Sequence, residues 1–165
     1  MKAHKAFTLV EILIVIVIIA ILASAMLLSS SDATASAEAA NILSDLRSLK
    51  VAALALYASS MDHNLVIDDW AANSIGSLPL LAPYMDNPEK LINSSSAYEF
   101  FKTNVAGVGL KWWVVYDLDR GGKSDTVAAK LAGKAKSVGL YLAANGGATY
   151  QPFGPSDRRA HLLVR

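Results

Sequence analysis

No proline and no glycine occurs between Met1 and Ile75. These two residues are the ones that most often end or kink a helix, so so long a stretch without them points to one helix of unusual length. Its first part is the unbroken apolar run Ile12-Leu13-Ile14-Val15-Ile16-Val17-Ile18-Ile19-Ala20-Ile21-Leu22-Ala23. Residues 7–28 suffice to cross about 30 Å of hydrocarbon as helix. Through Ser29-Ser30-Ser31-Asp32 the run grades into an Ala-rich segment with apolar residues at Ile42, Leu46, Leu49, Ala53, Leu56 and Tyr57. Those intervals follow the helical period and give a single apolar stripe. The expectation is a helix from Phe7 to Ser60, about 80 Å long at roughly 1.5 Å per residue. Its first half belongs in lipid or a filament core, its second against a globular domain.

One carboxylate, Glu11, heads the apolar stretch. At the centre of a membrane helix such a group costs roughly 2.5 kcal/mol or more, so a counter-charge is expected. A cut after Ala6 would create one, the α-amino group of Phe7. The basic leader Met1-Lys2-Ala3-His4-Lys5-Ala6, the Ala6–Phe7 junction, the segment Phe7-Thr8-Leu9-Val10-Glu11 and the apolar helix resemble the class III signal of type IV pilins and type II secretion pseudopilins. The resemblance covers about the first 30 residues. It implies cleavage between Ala6 and Phe7 by a prepilin peptidase, methylation of the Phe7 amine, and Glu11 as the carboxylate that pairs with a neighbouring subunit's amine during assembly. Ala6 stands where the family usually has Gly, and Ala20 and Leu28 stand where Gly and Pro are often found.

The resemblance further implies an α+β pilin-like fold, a long protruding N-terminal helix packed on a small antiparallel β-sheet. Residues 1–6 form the leader, 7–30 the membrane or filament-core half of the helix, and 31–165 the head. The implied function is that of a structural subunit of a type IV pilus, a pseudopilin or minor pilin being the alternative. Implied partners are further copies of the chain, the prepilin peptidase, inner-membrane assembly platform proteins and, before assembly, the lipid bilayer. The implied location is the inner membrane, then an extracellular pilus or periplasmic pseudopilus. A rival from another class is an ordinary secretory signal. Lys2 and Lys5, the apolar core and Ala23-Ser24-Ala25 fit one, and it predicts a soluble secreted domain starting at Met26. Glu11 weighs against it, because a disposable signal has no use for that carboxylate.

Around Asp32 and Glu38 charge returns, and Ala33, Ala35, Ser36, Ala37, Ala39 and Ala40 suit either close helix–helix approach or plain helix propensity. Residues 61–96 are turn-rich, with short helices expected near 70–73 and 78–84. Strands are expected at 96–103, at 109–118 (Lys111-Trp112-Trp113-Val114-Val115-Tyr116 being the strongest signal), at 139–144 and at 148–152. Thr126–Ser137 reads as a short amphipathic helix with Ser124-Asp125-Thr126 supplying its N-cap. The tail 154–165 carries no decisive pattern.

The chain has no cysteine, so packing, hydrogen bonding or a metal must pin its C-terminal region. Residues 7–101 carry three Lys/Arg against ten Asp/Glu, a balance of −7, and residues 102–165 carry ten against four, a balance of +6. Such a split suits contacts between neighbouring copies, or two merely solvated faces. Asp117, Asp119 and Asp125 surround the Gly121-Gly122 turn with the oxygen-ligand spacing a Ca²⁺ loop uses. Arg120 and Lys123 compete for the same carboxylates, and the loop lacks the length and terminal Glu of an EF-hand, so a hydrated turn with a capping Asp is the simpler reading. No cofactor is otherwise implied. His4, His63 and His161 are scattered, and no catalytic triad, metalloprotease motif or phosphate loop is present; an enzyme is not expected. Lys123, Lys130, Lys134, Lys136, Arg158 and Arg159 with Trp112 or Trp113 are the residues that would have to bind nucleic acid, but strand aromatics belong to cores and helix lysines to wet faces, so nucleic acid is not expected as a partner.

Overall fold

A computed structural model describes residues 7–60, 67, 77–93, 95–105, 108–144 and 147–165. The short helix expected near 70–73 lies outside the described residues. The chain divides into two compact units, Met1–Thr34 and Ala35–Arg165, with α1 (Leu9–Ser59) running from one into the other.

In the first unit, α1 is apolar on every side and its side chains from Leu9 to Leu27 are all exposed. It is the helix among the described residues long and apolar enough to cross a membrane. Two of its hydroxyls turn back on the helix: Ser24 Oγ donates to the Ala20 carbonyl at 2.8 Å and Thr34 Oγ1 to that of Ser30 at 3.0 Å. A hydroxyl so bonded enters hydrocarbon without an unsatisfied group.

In the second unit, α1 shows the predicted stripe. Ile42, Leu46, Leu49, Ala53 and Leu56 are buried, Tyr57 packs beside them, and Ala35 and Ala39 extend the stripe downward. A 3₁₀ helix (Leu78–Tyr84) and a one-turn α2 (Pro88–Leu91) follow, each opened by a proline in its first turn, where the missing N–H costs nothing. Then come β1 (Tyr98–Val105), β2 (Gly109–Asp117), α3 (Asp125–Val138), β3 (Leu140–Ala144), β4 (Gly147–Pro152) and β5 (Arg159–Leu163). All pairings are antiparallel, in the order β1-β2-β5-β3-β4. The undecided tail is therefore a strand, and it lies in the middle of the sheet.

From Trp112 to Tyr116 the strand β2 is apolar at every position because both its faces are covered there. Trp112, Val114 and Tyr116 face the main core with α1, where they join Val127, Ala128, Leu131 and Ala135 of α3. Trp113 and Val115 face the other way, into a second cluster with Phe101, Tyr141 and Leu163. The outer strands β1 and β4 also touch, so the sheet curls around that second cluster. Each large side chain removed from water here contributes about 1.5–3 kcal/mol.

Glycine is required by geometry at several positions, and two of them bear on the head's packing. Gly139 ends α3 in the left-handed region at φ +77°, its N–H donating to the Ala135 carbonyl at 2.9 Å, as a helix C-terminus asks. At Gly121 a Cβ would lie 2.1 Å from the Tyr116 hydroxyl. Ser124 occupies the N-cap position of α3 with extended backbone, yet its side chain makes no capping hydrogen bond.

Candidate functional site

The start of α1 is closed by its own side chains. The Thr8 N–H and the Thr8 hydroxyl both donate to Glu11 Oε2 at 2.8 Å, and the Glu11 N–H donates to Thr8 Oγ1 at 3.2 Å. This is a reciprocal capping box, with Thr8 at the N-cap and Glu11 three residues on. It satisfies N–H groups that a helix start would otherwise leave open, and it holds the Glu11 carboxylate at the head of the apolar stretch. Phe7, just before the cap, is largely exposed; Ala6 lies outside the described residues. Glu11 was legible from its position in the apolar run. Thr8 was missed, although the Thr-x-x-Glu spacing is the signal for the box.

Residues 1–27 match the family model for the prokaryotic N-terminal methylation motif. They form a class III prepilin signal, as in type IV pilins and pseudopilins. No curated protein and no solved structure matches the chain. The prepilin signal supports a type IV pilin-like or pseudopilin protein, and the long N-terminal helix with the five-stranded antiparallel sheet is consistent with an α+β pilin-like fold. It also implies processing by a prepilin peptidase and filament assembly, and with the apolar helix it fits a membrane-anchored precursor.

The acidic turn of the head is organised by an arginine that sequence reasoning did not attach to it. Arg158, in the segment leading to β5, inserts its guanidinium into the loop between β2 and α3. Nε donates to Asp119 Oδ1 at 2.7 Å, Nη1 to Asp125 Oδ1 at 2.9 Å and Nη2 to the Lys123 carbonyl at 2.9 Å. Asp117 turns elsewhere, accepting the Arg120 N–H at 3.0 Å and lying 3.4 Å from Arg159 Nε. The structure thus brings Asp119 and Asp125 to one cation but leaves Asp117 apart. Among the described residues no group of three potential metal ligands converges, so these oxygens do not fit a Ca²⁺ cage while Arg158 is in place. The tail of this cysteine-free chain is pinned here by a guanidinium and a central strand.

Beside this loop lies a buried ion cluster. Glu99, 4 % exposed, accepts Arg120 at 2.9 Å on one oxygen and Arg159 on the other. Burial pushes the Glu99 carboxyl above its ordinary value, against the pull of Arg159 and Arg120. Further along, Asp45 on α1 takes Lys90 at 3.0 Å and the Tyr98 hydroxyl at 2.8 Å, and Glu38 takes Lys123 at 3.1 Å. Burial first, and Asp45 second, push the Tyr98 phenol well above its usual range; burial pushes Tyr116 up to about 12 with Glu38 adding. Both hydroxyls stay protonated near neutrality, and that of Tyr98 donates to Asp45.

His161 is 1 % exposed at the centre of the sheet, edge-on to Phe101 and Trp113, with Nδ1 3.0 Å from the Arg159 carbonyl oxygen. Desolvation, with Arg159 nearby, pushes it down to about 3. It is a neutral core residue at physiological pH. Of the other histidines, His4 and His63 lie outside the described residues.

Proposed function

We propose that this chain is the structural subunit of a type IV pilus. The observation that carries the reading is Glu11, fixed by Thr8 at the head of an apolar helix directly after the Ala6–Phe7 junction. The leader's lysines keep the N-terminus cytoplasmic, and the apolar helix holds the subunit in the bilayer. The prepilin peptidase cuts after Ala6 and methylates the amine of Phe7. Assembly platform proteins extract the subunit, and its helix leaves lipid for a bundle of identical helices. Pairing of Glu11 with the neighbour's amine offsets the desolvation of both groups and sets the register. Because the contact is head-to-tail and does not close on itself, it propagates as a filament.

Mass spectrometry of the N-terminus tests the first step. A chain beginning at Phe7 with one extra methyl group is expected, whereas a start at Met26 would mean ordinary secretion and end the filament reading. Electron microscopy of cells with and without the gene separates the alternatives. Surface fibres lost on deletion support the pilus, and loss of protein export with fibres intact would assign a pseudopilin instead.

A further inference from the structure

Asn93-Ser94-Ser95 is the one place in the chain where an asparagine stands two residues before a serine or threonine with no proline between. That spacing is what an N-glycosyl transferase reads. The segment lies on the head between α2 and β1, and Asn93 and Ser95 are both exposed. It is anchored on either side. Leu91 is buried and its carbonyl accepts the Ser96 hydroxyl, while the Ser96 N–H donates to the Asn93 carbonyl at 3.0 Å.

Between those anchors the Asn93 side chain is only half engaged. Its Oδ1 accepts the Ser95 N–H at 3.0 Å, which fixes the plane of the amide. Its Nδ2 reaches the Glu89 carbonyl at 3.4 Å, a long and weak bond. An amide nitrogen carries two hydrogens, so one is left for substitution. The Ser95 hydroxyl makes no hydrogen bond among the described residues. The fold thus employs the groups that hold the turn and leaves unused the two that a transfer needs, the nitrogen as acceptor and the hydroxyl as recognition handle. There is room beside them as well. Asn93 stands on the rim of a polar cleft of about 340 Å³ whose α1 wall carries Asn41 and Asp45. A sugar ring attached at Nδ2 would meet amide and carboxylate groups there instead of an apolar surface.

We propose that Asn93 is the acceptor for an N-linked sugar. In the transfer, Nδ2 attacks the anomeric carbon of a sugar carried on a diphosphate. The carbon–nitrogen bond forms, the carbon–oxygen bond to the diphosphate breaks, the diphosphate leaves with the electron pair, and Nδ2 gives up one proton to the transferase. The product is still an amide, so Oδ1 keeps its bond to the Ser95 N–H and the fold loses at most the 3.4 Å contact to Glu89. The diphosphate is borne by a lipid if transfer takes place across the membrane and by a nucleotide if it takes place inside the cell. The site is the same in a pilus subunit and in a pseudopilin, so it goes beyond the choice between them.

Full-length protein from its native cells provides the test, its intact mass and its peptides read by mass spectrometry. A mass above that of the processed chain by one or more sugar residues is expected, with fragmentation placing the increment on Asn93. Asn93→Gln and Ser95→Ala should each lose the increment completely, and Ser95→Thr, which keeps a hydroxyl, should retain it. Ser95→Ala also keeps the backbone N–H that Asn93 binds. Its head should therefore still unfold cooperatively on heating, which separates recognition of the hydroxyl from folding of the turn. An increment present on chains arrested inside the cell assigns the nucleotide carrier, and one confined to exported chains assigns the lipid carrier. An unmodified mass, an increment that survives Ser95→Ala, or fragments that place it on Ser94 or Ser95 would each overturn the proposal. An unmodified Asn93 on a chain that begins at Phe7 removes the sugar site alone and leaves the filament reading standing.

Discussion

Along residues 9–27 of α1 every side chain is exposed, Ile16 by 57 % and Leu22 by 64 %, whereas along residues 35–56 Ala39, Leu46, Leu49 and Ala53 are completely buried. Both stretches are good helix, and helix propensity does not distinguish them. The later stretch has a stripe, and the stripe has its partner on the same chain, in β2, β5 and α3. The earlier stretch is apolar all round, so no single face can satisfy it; its partners are lipid or other helices. The charges follow the same division. Glu11 is held by a residue three positions away, while Glu99 is held by Arg120 and Arg159 from other parts of the fold. One region is completed from outside the chain, the other from within it.

The largest effect separates the two regions by the same chemistry. Leu46→Ala should cost the head about 2–5 kcal/mol as a core cavity, and Ile16→Ala should leave it within about 0.5 kcal/mol, both read by denaturant unfolding of the full-length protein in detergent. Equal losses would break the comparison. Next in size is a pH effect confined to the head. His161 binds its proton in the unfolded chain near the ordinary 6.5 but in the folded chain only near 3. Unfolding therefore takes up a proton between those values. The stability that the neutral imidazole supports is complete above about pH 6.5 and is lost as pH falls toward 3, by at most about 1.36 kcal/mol per pH unit. His161→Gln should flatten that acid limb, and an unchanged limb would mean that burial does not hold the imidazole neutral.

A smaller effect is expected at Arg158. Asp119 and Asp125 are largely solvent-exposed, so the charge pairs are screened and Arg158→Ala should lower the melting temperature of the head only slightly. Chelation should leave the wild-type melting temperature where it was, because a guanidinium already sits between these carboxylates. A rise of more than about 2 °C on adding Ca²⁺ would mean that the ion displaces Arg158. The smallest effect lies at the helix start. Thr8→Val should weaken it by about 0.5–2 kcal/mol, seen as faster amide exchange at Leu9 to Ile12 with exchange in the head unchanged; spread of the effect into the head would join what the comparison separates.

The helix, its stripe, the four strands up to residue 152 and α3 were readable because each rests on local periodicity over its own length. The tail was not. Arg159-Ala160-His161-Leu162-Leu163 offers only a short apolar core between charges, and its place between β2 and β3 depends on registers set by residues dozens of positions away. The role of Arg158 was lost with it, since the spacing of Asp117, Asp119 and Asp125 says nothing about a cation arriving from the tail. His161, read as one of three scattered histidines, is central for the same reason. Ser124 shows the reverse: the residue type and backbone fit a cap, but the side chain does not close it. Thr8 was legible, and its cap was overlooked because Glu11 already had a role.

The position of β5 also sets an order of events. Among the described residues, the hairpin of β1 and β2 and the hairpin of β3 and β4 are joined in the sheet only through the strand made last. Until Arg159–Leu163 is in place the sheet is open, with the facing edges of β2 and β3 unpaired. Non-local pairing of this kind is slow and leaves those edges available to the wrong neighbour. Completion of the sheet thus waits on Arg159–Leu163, the strand that pairs with both β2 and β3.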